Sequence, residues 1–311
     1  MKVLVIGGNG FIGSNFIRYI LEKYPGWKVI NYSRSEKTGT SNRLRDLENK
    51  YDYKFIKGDL KDTSLLKELI SDADYVFNSG GESNIRNFVE NPAESINANL
   101  EGIVSLLGVA KGTKIRKIVI MTSWEVYGDK KGETAIETDK LNPENIYAAI
   151  NAAIENIAIG YNKSYGIPVI SIRACNIFGP YQKEDKLISR TITNILKNKK
   201  ITLFGNGNEV RSYLYIKDLC KAIDILLKNG KGGEAYNVGS EELISNIDIV
   251  KTILKKIGKG EEEIEFLPDR KTDNRRIRLR LDKITSLGWK LETPFEKGIE
   301  KTIEWYSKGI T

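Results

Sequence analysis

A glycine-rich turn directly after the first apolar run constrains this chain more than any other feature. Residues 3–6 form the apolar run, and Gly7-Gly8-Asn9-Gly10-Phe11-Ile12-Gly13 leads from it into an amphipathic segment. Glycines let the backbone approach a pyrophosphate closely, and a following helix N-terminus offers free N–H groups and a partial positive charge. A tight turn without a ligand is the alternative. The strand–turn–helix context favours a dinucleotide-binding loop, with these candidate binding residues: Gly7, Gly10, Phe11, Ile12 and Gly13.

Strand-like and helix-like segments alternate along the first two-thirds of the chain. Short β-branched runs predict strands at 3–6, 28–32, 54–56, 75–78, 117–121 and 169–172. Longer amphipathic segments predict helices at 14–23, 65–70, 93–110 and 145–165. This alternation predicts an α/β fold of the Rossmann type, with a doubly wound parallel sheet.

The pattern changes after Gly179-Pro180. Short strands are predicted at 201–204, 212–216 and 235–238, mixed with helices at 187–197, 217–228, 247–257 and 294–306. The 311 residues therefore suit a dinucleotide-binding domain at 1–179 and a smaller α/β substrate lobe at 180–311. The boundary stays open, because later segments can add strands to the main sheet.

The absence of histidine excludes several kinds of catalysis. Without it there is no Ser-His-Asp or Cys-His centre and no histidine-ligated metal site. The two cysteines, Cys175 and Cys220, lie far apart and give no zinc spacing, so no metal is expected. Acid–base work must fall to Tyr, Glu, Asp, Lys or Cys.

The net charge of +8 leaves two interpretations open. It favours an acidic partner, such as a diphosphate ligand or a nucleic acid, or it reflects a lysine-rich solvated surface. The basic run around Arg276 lacks interleaved aromatic residues, so nucleic-acid binding is not predicted. No apolar run reaches the roughly 20 residues of a membrane span, so no membrane association is expected. Residues 1–6 are interpreted as a buried strand rather than a signal peptide, which makes a cytoplasmic location the expectation.

The end of the second predicted strand bears on the choice between NAD and NADP. An acid that grips the adenosine ribose of NAD is common there, but this segment reads Asn31-Tyr32-Ser33-Arg34. Ser33 and Arg34 stand where a 2′-phosphate would be bound, which favours NADP, with an exposed loop arginine as the alternative. Asp59, followed by Leu60, is placed to accept a hydrogen bond from the adenine amino group.

A series of further motifs runs nearly end to end. In this order and spacing they resemble the extended short-chain dehydrogenase/reductases that act on nucleotide sugars, an epimerase/dehydratase family that includes the dTDP-glucose 4,6-dehydratases. The motifs are Gly58-Asp59, Glu82-Ser83, Ser123 with Glu125-Val126-Tyr127-Gly128, Tyr147, Asn176-Ile177-Phe178-Gly179-Pro180-Tyr181-Gln182, Lys186-Leu187-Ile188, Val210-Arg211-Ser212-Tyr213-Leu214-Tyr215, Tyr236-Asn237-Val238-Gly239 and Thr302-Ile303-Glu304-Trp305-Tyr306.

The resemblance implies a catalytic centre at Tyr147 and Ser123. In the family a lysine four residues after the tyrosine lowers the pKa of that tyrosine and holds the nicotinamide ribose, but here Asn151 stands at that position. An Asp–Glu pair follows the Ser/Thr in the dehydratases, and here the pair is Trp124-Glu125, so the base remains and the acid is missing. Further departures from the family's histidines and aspartates fall at Asn78, Asn84, Arg86, Ser212 and Asp273.

The resemblance also implies the ligand contacts. Ser79, Gly80, Gly81, Asn99, Tyr147 and Asn151 are expected to contact the dinucleotide. A nucleotide-diphosphate sugar is the expected partner, with these candidate contacts: Ser83, Trp124, Asn176, Lys186, Leu187, Arg211 and Arg276. Trp124 offers an apolar face to a ring, or it fills the core; the run around Arg276 is otherwise a solvated loop. Cys175 is interpreted as a small buried residue rather than a catalytic thiol.

Helices equivalent to 93–110 and 145–165 pair across a two-fold axis in the family, so a homodimer is expected. The apolar positions that suit such pairing are Ile96, Leu100, Ile103, Val104, Leu107, Ile150, Ile154, Ile157 and Tyr161.

Three functions follow from these residues. The favoured one is an NAD(P)-dependent nucleotide-sugar dehydratase or epimerase that oxidises the sugar transiently at C4, with chemistry altered by loss of the lysine and the acid. The second is an inactive relative that binds dinucleotide and nucleotide sugar as a partner or sensor. The third, a reductase of small carbonyl compounds, is weaker because the nucleotide-sugar motifs persist.

Overall fold

A computed structural model describes residues 1–34, 43–82, 85–268 and 276–309, with the side chains of Ile85, Arg86 and Val89 outside that description. Its strands are β1 Lys2–Ile6, β2 Lys28–Ser33, β3 Tyr53–Lys57, β4 Tyr75–Asn78, β5 Lys117–Ser123, β6 Thr134–Ala135, β7 Val169–Ala174, β8 Asn176–Phe178, β9 Ile201–Phe204, β10 Val210–Arg211, β11 Tyr213–Tyr215, β12 Ala235–Val238, β13 Ile244–Ser245, β14 Ile264–Leu267 and β15 Arg278–Leu279. Its α-helices are α1 Phe11–Lys23, α2 Thr63–Ser71, α3 Ile85–Glu90, α4 Pro92–Val109, α5 Ile146–Tyr165, α6 Leu187–Leu196, α7 Ile216–Asn229, α8 Asn246–Ile257, α9 Asp282–Thr285 and α10 Phe295–Lys308.

The central sheet confirms the predicted Rossmann-type fold. Seven of the described strands form it in the order β12-β7-β5-β4-β1-β2-β3, and every neighbouring pair is parallel. The strand order reverses between β1 and β4. In doubly wound sheets, ligands bind outside the carboxyl ends of the strands at such a reversal.

Apolar layers on both faces explain why this sequence forms a parallel sheet. In β1, Val3 to Ile6 are all buried, as strands covered by helices on both sides require. Helices α1 and α7 pack against one face, where Phe16 and Leu219 belong to one core. Helices α2, α4 and α5 cover the other face around residues such as Leu66 and Leu106.

The predicted helices and strands are all present. Some of them begin or end at residues other than those predicted, and these differences affect the cavity at the carboxyl ends of the strands. Helix α1 starts at Phe11, inside the glycine-rich segment, rather than at residue 14. Strands β5 and β7 each run two residues beyond the prediction, which brings Ser123 and Ala174 to their carboxyl ends. Strand β12 joins the main sheet beside β7, so a segment beyond residue 180 does return to the sheet.

A smaller layer of elements from the second half of the chain lies beyond the carboxyl end of β7. Helices α6, α8 and α10 pack together, and β9 pairs with β14 in parallel. Strand β8, directly after β7, pairs with β11 and links this layer to the main sheet. The two-domain division at residue 179 stays a prediction. None of the helices in the described ranges is long and apolar enough to cross a membrane.

Candidate active site

One cavity of about 740 Å³ opens at the carboxyl ends of the central strands. It extends from the glycine-rich turn, past the ends of β2, β4 and β5, to the segment that leads into α6. Most of the predicted cofactor and catalytic residues line it, together with part of the predicted substrate set: Gly7, Gly10, Phe11, Ile12, Ser33, Arg34, Asp59, Leu60, Ser79, Gly80, Gly81, Asn99, Ser123, Trp124, Glu125, Tyr147, Asn151, Asn176, Lys186 and Leu187.

The glycine-rich turn is built so that a ligand can approach its backbone. Gly7 has a φ of 74°, and a Cβ atom on it would lie 2.7 Å from the Cα of Gly80. A Cβ on Gly13 would lie 2.4 Å from the carbonyl oxygen of Gly7, so Gly13 serves close packing and does not line the cavity. Gly10 precedes α1 without a side-chain cap, which leaves first-turn N–H groups for an anion. These features fit the pyrophosphate of a dinucleotide.

The end of β2 is neutral and hydrogen-bonded. Asn31 is fully buried; its amide donates to Asn9 Oδ1 at 2.7 Å and to the Tyr53 hydroxyl at 2.9 Å. The Ser33 hydroxyl donates to Asn31 Oδ1 at 2.9 Å. Arg34 lies beside them with its Nε 4.0 Å from Asp59, and both side chains are well exposed. This end of the cavity therefore offers a guanidinium next to neutral hydrogen-bonding side chains.

The loop after β4 closes the cofactor side of the cavity. Ser79 Oγ donates to the Ile6 carbonyl at 3.1 Å, and the amide N–H of Gly80 donates to Asn78 Oδ1 at 2.9 Å. Asn99, on α4, accepts from the N–H of Glu82 at 3.1 Å. A Cβ on Gly81 would lie 2.3 Å from Asn99 Oδ1, so only glycine fits against this side chain.

Tyr147 and Ser123, the predicted catalytic pair, both line the cavity. Ser123 ends β5, and Tyr147 is in the first turn of α5. The Ser123 side chain lies close enough to Tyr147 to lower the pKa of its phenol in part. Asn151 is one turn further along α5; it is 7% exposed and its amide donates to the Tyr147 carbonyl at 2.8 Å.

The environment of Tyr147 keeps its phenol protonated. Burial, reinforced by the negative charge of Glu125, raises the pKa of Tyr147 to about 12. Ser123 and Asn151 oppose this rise, but both side chains are neutral. At pH 7 a group with such a pKa is ionised in about one molecule in 10⁵.

Glu125 is held at the same end of the cavity by Asn145. The Asn145 amide donates to Glu125 Oε2 at 2.9 Å, while Asn145 Oδ1 accepts from the N–H of Ala148 at 2.7 Å. Asn145 therefore caps the helix that carries Tyr147 and orients the carboxylate beside it. The amide N–H of Glu125 also donates to Ser123 Oγ at 3.2 Å.

Trp124 is mostly a core residue. It is 3% exposed and packs in the larger hydrophobic core, although its remaining surface borders the cavity. The stated alternative, that it fills the core, therefore describes most of this side chain. Cys175 is likewise buried, and burial raises the pKa of its thiol to about 11, as a structural cysteine requires.

The predicted substrate residues divide into three groups. Asn176, Lys186 and Leu187 line the main cavity. Arg211 lines a second cavity of about 280 Å³, which shares Asn176 and Leu187 with the first. Arg276 is exposed and lines neither cavity; its amide N–H donates to Asp129 Oδ1 at 3.2 Å. Ser83 lies outside the described residues, as do Asn84, Asp273 and the side chain of Arg86.

Comparison with known proteins identifies the family. The model of the NAD dependent epimerase/dehydratase family matches residues 3–239. The chain belongs to this family. It is 33% identical to the low-salt glycan biosynthesis protein Agl12 of Haloferax volcanii over 98% of both chains. It is 32% identical to the human dTDP-D-glucose 4,6-dehydratase, over 99% of this chain and 91% of the human protein. A crystal structure of the Bacillus anthracis dTDP-glucose 4,6-dehydratase in complex with NAD superimposes with a TM-score of 0.91 at 34% identity, covering 99% of this chain and 97% of that one.

Some residues of this epimerase/dehydratase site were not found by sequence reasoning. Phe88, on α3, packs edge-on against Tyr147 with ring centroids 5.5 Å apart. Asn145 had a visible signal, since asparagine is a favoured N-cap and stands directly before the predicted helix. The packing of Phe88 has no local signal, because it depends on a contact across 59 residues of chain.

Asn78 and Ser212, which the resemblance marks as departures from the family's motif, have neutral structural roles here. Asn78, at the end of β4, lines the cavity and holds the loop through Gly80. Ser212 is fully buried, and its hydroxyl donates to the Ser240 carbonyl at 2.6 Å. Both substitutions are therefore compatible with the packing around them.

The two helices expected at a dimer interface pack against each other within the chain. Ile103, Leu107 and Ile150 are buried in the fold and are not accessible to a partner, so the predicted apolar stripe was too broad. Val104 and Ile146 are 42% and 44% exposed, respectively. Dimerisation stays a prediction that rests on the exposed residues of these helices.

Proposed function

We propose that this protein binds NAD(P) and a nucleotide-diphosphate sugar and oxidises the sugar transiently at C4, as a 4,6-dehydratase- or 4-epimerase-like enzyme with altered chemistry. The observation that carries this proposal is the cavity of about 740 Å³. It joins a glycine-rich turn suited to a pyrophosphate with Ser123 and Tyr147, and with the residues before α6. Family membership supports the same reaction class.

A nicotinamide dinucleotide supplies the acceptor for the hydride that leaves the sugar. The turn at Gly10, Phe11 and Ile12 would hold its pyrophosphate, and Asp59 with Leu60 would hold its adenine. Ser79, Gly80, Gly81 and Asn99 would border the nicotinamide half. The neutral Ser33–Asn31 pair beside Arg34 favours NADP over NAD, because a guanidinium suits a 2′-phosphate.

The sugar nucleotide would extend from Tyr147 into the smaller layer. Lys186 precedes α6 as its N-cap residue, so an ammonium and a helix N-terminus lie together at the edge of the cavity. Arg211 in the adjoining cavity would contact the nucleotide part, since a guanidinium fork fits phosphate oxygens. The dTDP-glucose dehydratase relatives support a nucleotide sugar as the substrate class.

A second candidate function is binding without efficient catalysis. The state of Tyr147 favours this function. Burial raises the pKa of Tyr147 to about 12, and the neighbours that oppose the rise, Ser123 and Asn151, are neutral. A tyrosine in this state is a poor base, so a partner or sensor role would need only the ligand-binding residues.

Turnover of defined substrates separates the two candidates. The protein is incubated with dTDP-, UDP-, GDP- and CDP-glucose and each oxidised nicotinamide dinucleotide, while absorbance at 340 nm and product sugars are followed. Formation of a keto or epimerised sugar is the expected result. Tight dinucleotide binding without turnover of any sugar would support the binder.

The cofactor preference is tested with Arg34→Ala. The variant is expected to bind NADP at least tenfold more weakly and NAD nearly unchanged, as measured by quenching of protein fluorescence. Lys308→Ala, at an exposed residue of α10, serves as the control for loss of a positive charge. Equal affinity of the unaltered protein for NAD and NADP would contradict the preference.

A further inference from the structure

Asn145 links the carboxylate of Glu125 to the first turn of α5, which carries Tyr147. Asn145 uses both ends of its amide, one as the cap of α5 and one as the donor to Glu125 at 2.9 Å. Glu125 is close enough to Tyr147 to act on it electrostatically, and both side chains line the cavity. A hydroxyl bound between them would meet an acceptor and a donor.

The local charges favour different roles for these two side chains. Asn151 is buried one helical turn from Tyr147 and bonds to its carbonyl, so it brings hydrogen-bonding capacity without charge. A phenol next to a carboxylate and neutral amides keeps its proton, and burial raises the pKa of Tyr147 accordingly. Glu125, by contrast, is a carboxylate whose Oε2 accepts a hydrogen bond from the Asn145 amide.

We propose that Glu125, held by Asn145, accepts the proton of the sugar hydroxyl during oxidation, and that Tyr147 donates a hydrogen bond to the same oxygen. This rests on the proposed function as a nucleotide-sugar oxidising enzyme. It gives the chain a proton acceptor in the absence of a lysine at position 151.

The atoms and electrons of this step balance. The sugar O–H bond breaks and its proton passes to a carboxylate oxygen of Glu125. The C4–H bond breaks and its electron pair leaves as hydride to the oxidised nicotinamide, while an oxygen electron pair forms the C4=O bond. The sugar loses two electrons and the nicotinamide gains two. The Tyr147 hydroxyl keeps its proton and stabilises the charge that develops on the oxygen.

Glu125 faces residues from two described elements. Its short 3₁₀ helix, Trp124–Tyr127, packs against α5 and β7. From the described residues of α5, Tyr147 lies close enough for Glu125 to raise the pKa of its phenol. From β7 the charged group is Arg173, which is turned to Glu155 at 2.8 Å and to the Tyr127 hydroxyl at 2.7 Å.

The first test compares Glu125→Gln with Tyr147→Phe in single-turnover formation of reduced nicotinamide, with dTDP-glucose or another sugar that is turned over. Glu125→Gln is expected to slow hydride transfer by at least 10²-fold, and Tyr147→Phe by about tenfold, because only a hydrogen bond is lost. Glu144→Gln, an exposed carboxylate 19 residues along the chain and outside the cavity, is the control. Normal hydride transfer in Glu125→Gln with abolition in Tyr147→Phe would overturn the assignment.

Two substitutions of Asn145 test the role of the Glu125 carboxylate through the pH dependence of the hydride-transfer rate. Asn145→Ser keeps a good N-cap and removes the donor to Glu125, whereas Asn145→Asp keeps the cap and adds a like charge. A second carboxylate makes proton uptake by the pair easier, so the acidic limb of the rate profile in Asn145→Asp should rise by one pH unit or more. Asn145→Ser should raise the acidic limb by a smaller amount. An unchanged limb in Asn145→Asp would contradict the role of Glu125.

A measurement that needs no turnover completes the test. Tyrosine labelled with ¹³C at Cζ gives a resonance for Tyr147, assigned by its loss in Tyr147→Phe, which is followed from pH 6 to 10 with NADP bound. The resonance is expected to stay that of a phenol throughout. A phenolate below pH 8 would overturn the inference even if no sugar is turned over, and absence of turnover alone would reject only the proposed function.

Discussion

Replacing Asn151 with lysine should convert Tyr147 into a better base, and the size of the effect follows from the structure. Positions i and i+4 of a helix lie about 5–6 Å apart, and two unit charges at that distance interact by about 3 kcal/mol at an effective dielectric of 20. This energy lowers the pKa of Tyr147 by about two, because 1.36 kcal/mol corresponds to one unit. Starting from about 12, the phenolate fraction at pH 7 rises from about 10⁻⁵ to about 10⁻³.

The cavity beside Asn151 gives the longer side chain room, although burying an ammonium offsets part of the gain. The ¹³C resonance of Tyr147 measures the change directly. Asn156→Lys, at an exposed position of the same helix, adds the same charge away from the phenol and should leave the titration unchanged. In a Glu125→Gln background, Asn151→Lys should restore hydride transfer by tenfold or more. An identical titration of Tyr147 with and without the lysine would refute the electrostatic reasoning.

Three further predictions concern the scaffold. Gly13→Ala should weaken NADH binding more than tenfold in a fluorescence titration, because its Cβ would lie 2.4 Å from the Gly7 carbonyl oxygen. Glu155→Gln should lower the free energy of unfolding by about 3–5 kcal/mol in urea, since it leaves the buried Arg173 guanidinium unpaired; Glu304→Gln, in an exposed pair, should leave it unchanged. Val104→Asp, at a 42% exposed position of α4, should convert a dimer to monomer in sedimentation without lowering the melting temperature; a monomeric unaltered protein would reject the dimer.

The parts of the fold that could be predicted from sequence are those with a local signal. The glycine-rich turn and the alternation of apolar runs each lie within a few residues, so the Rossmann-type sheet followed from them. The burial of Ile103 and the exposure of Val104, its neighbour, could not be separated in this way. Periodicity shows which residues share a helix face, whereas the covering of that face depends on elements distant in sequence.

The polar interior beneath the candidate site could not be predicted from the sequence either. Arg173 pairs with Glu155 across 18 residues and with the Tyr127 hydroxyl across 46. Charged residues in a strand or helix ordinarily predict exposure, so their burial here depends on partners that no pattern reveals. Thr122 joins this network through Glu155 at 2.7 Å, directly before Ser123 in β5. The network therefore fixes the strand end that carries a candidate catalytic group.

The substitutions around Tyr147 are consistent with one another when Glu125 is the proton acceptor. A lysine at 151 would stabilise the phenolate and would also attract the carboxylate beside it, which makes that carboxylate a weaker base. The resemblance implies an acid at position 124 in the dehydratases. A negative charge there would repel a negative charge on Glu125, whereas Trp124 is apolar and buried. Asn151 and Trp124 are thus both neutral at positions where the resemblance implies charged residues. The carboxylate of Glu125, oriented by Asn145, and a phenol that keeps its proton form the pair that a hydroxyl needs in order to lose a proton and remain hydrogen-bonded.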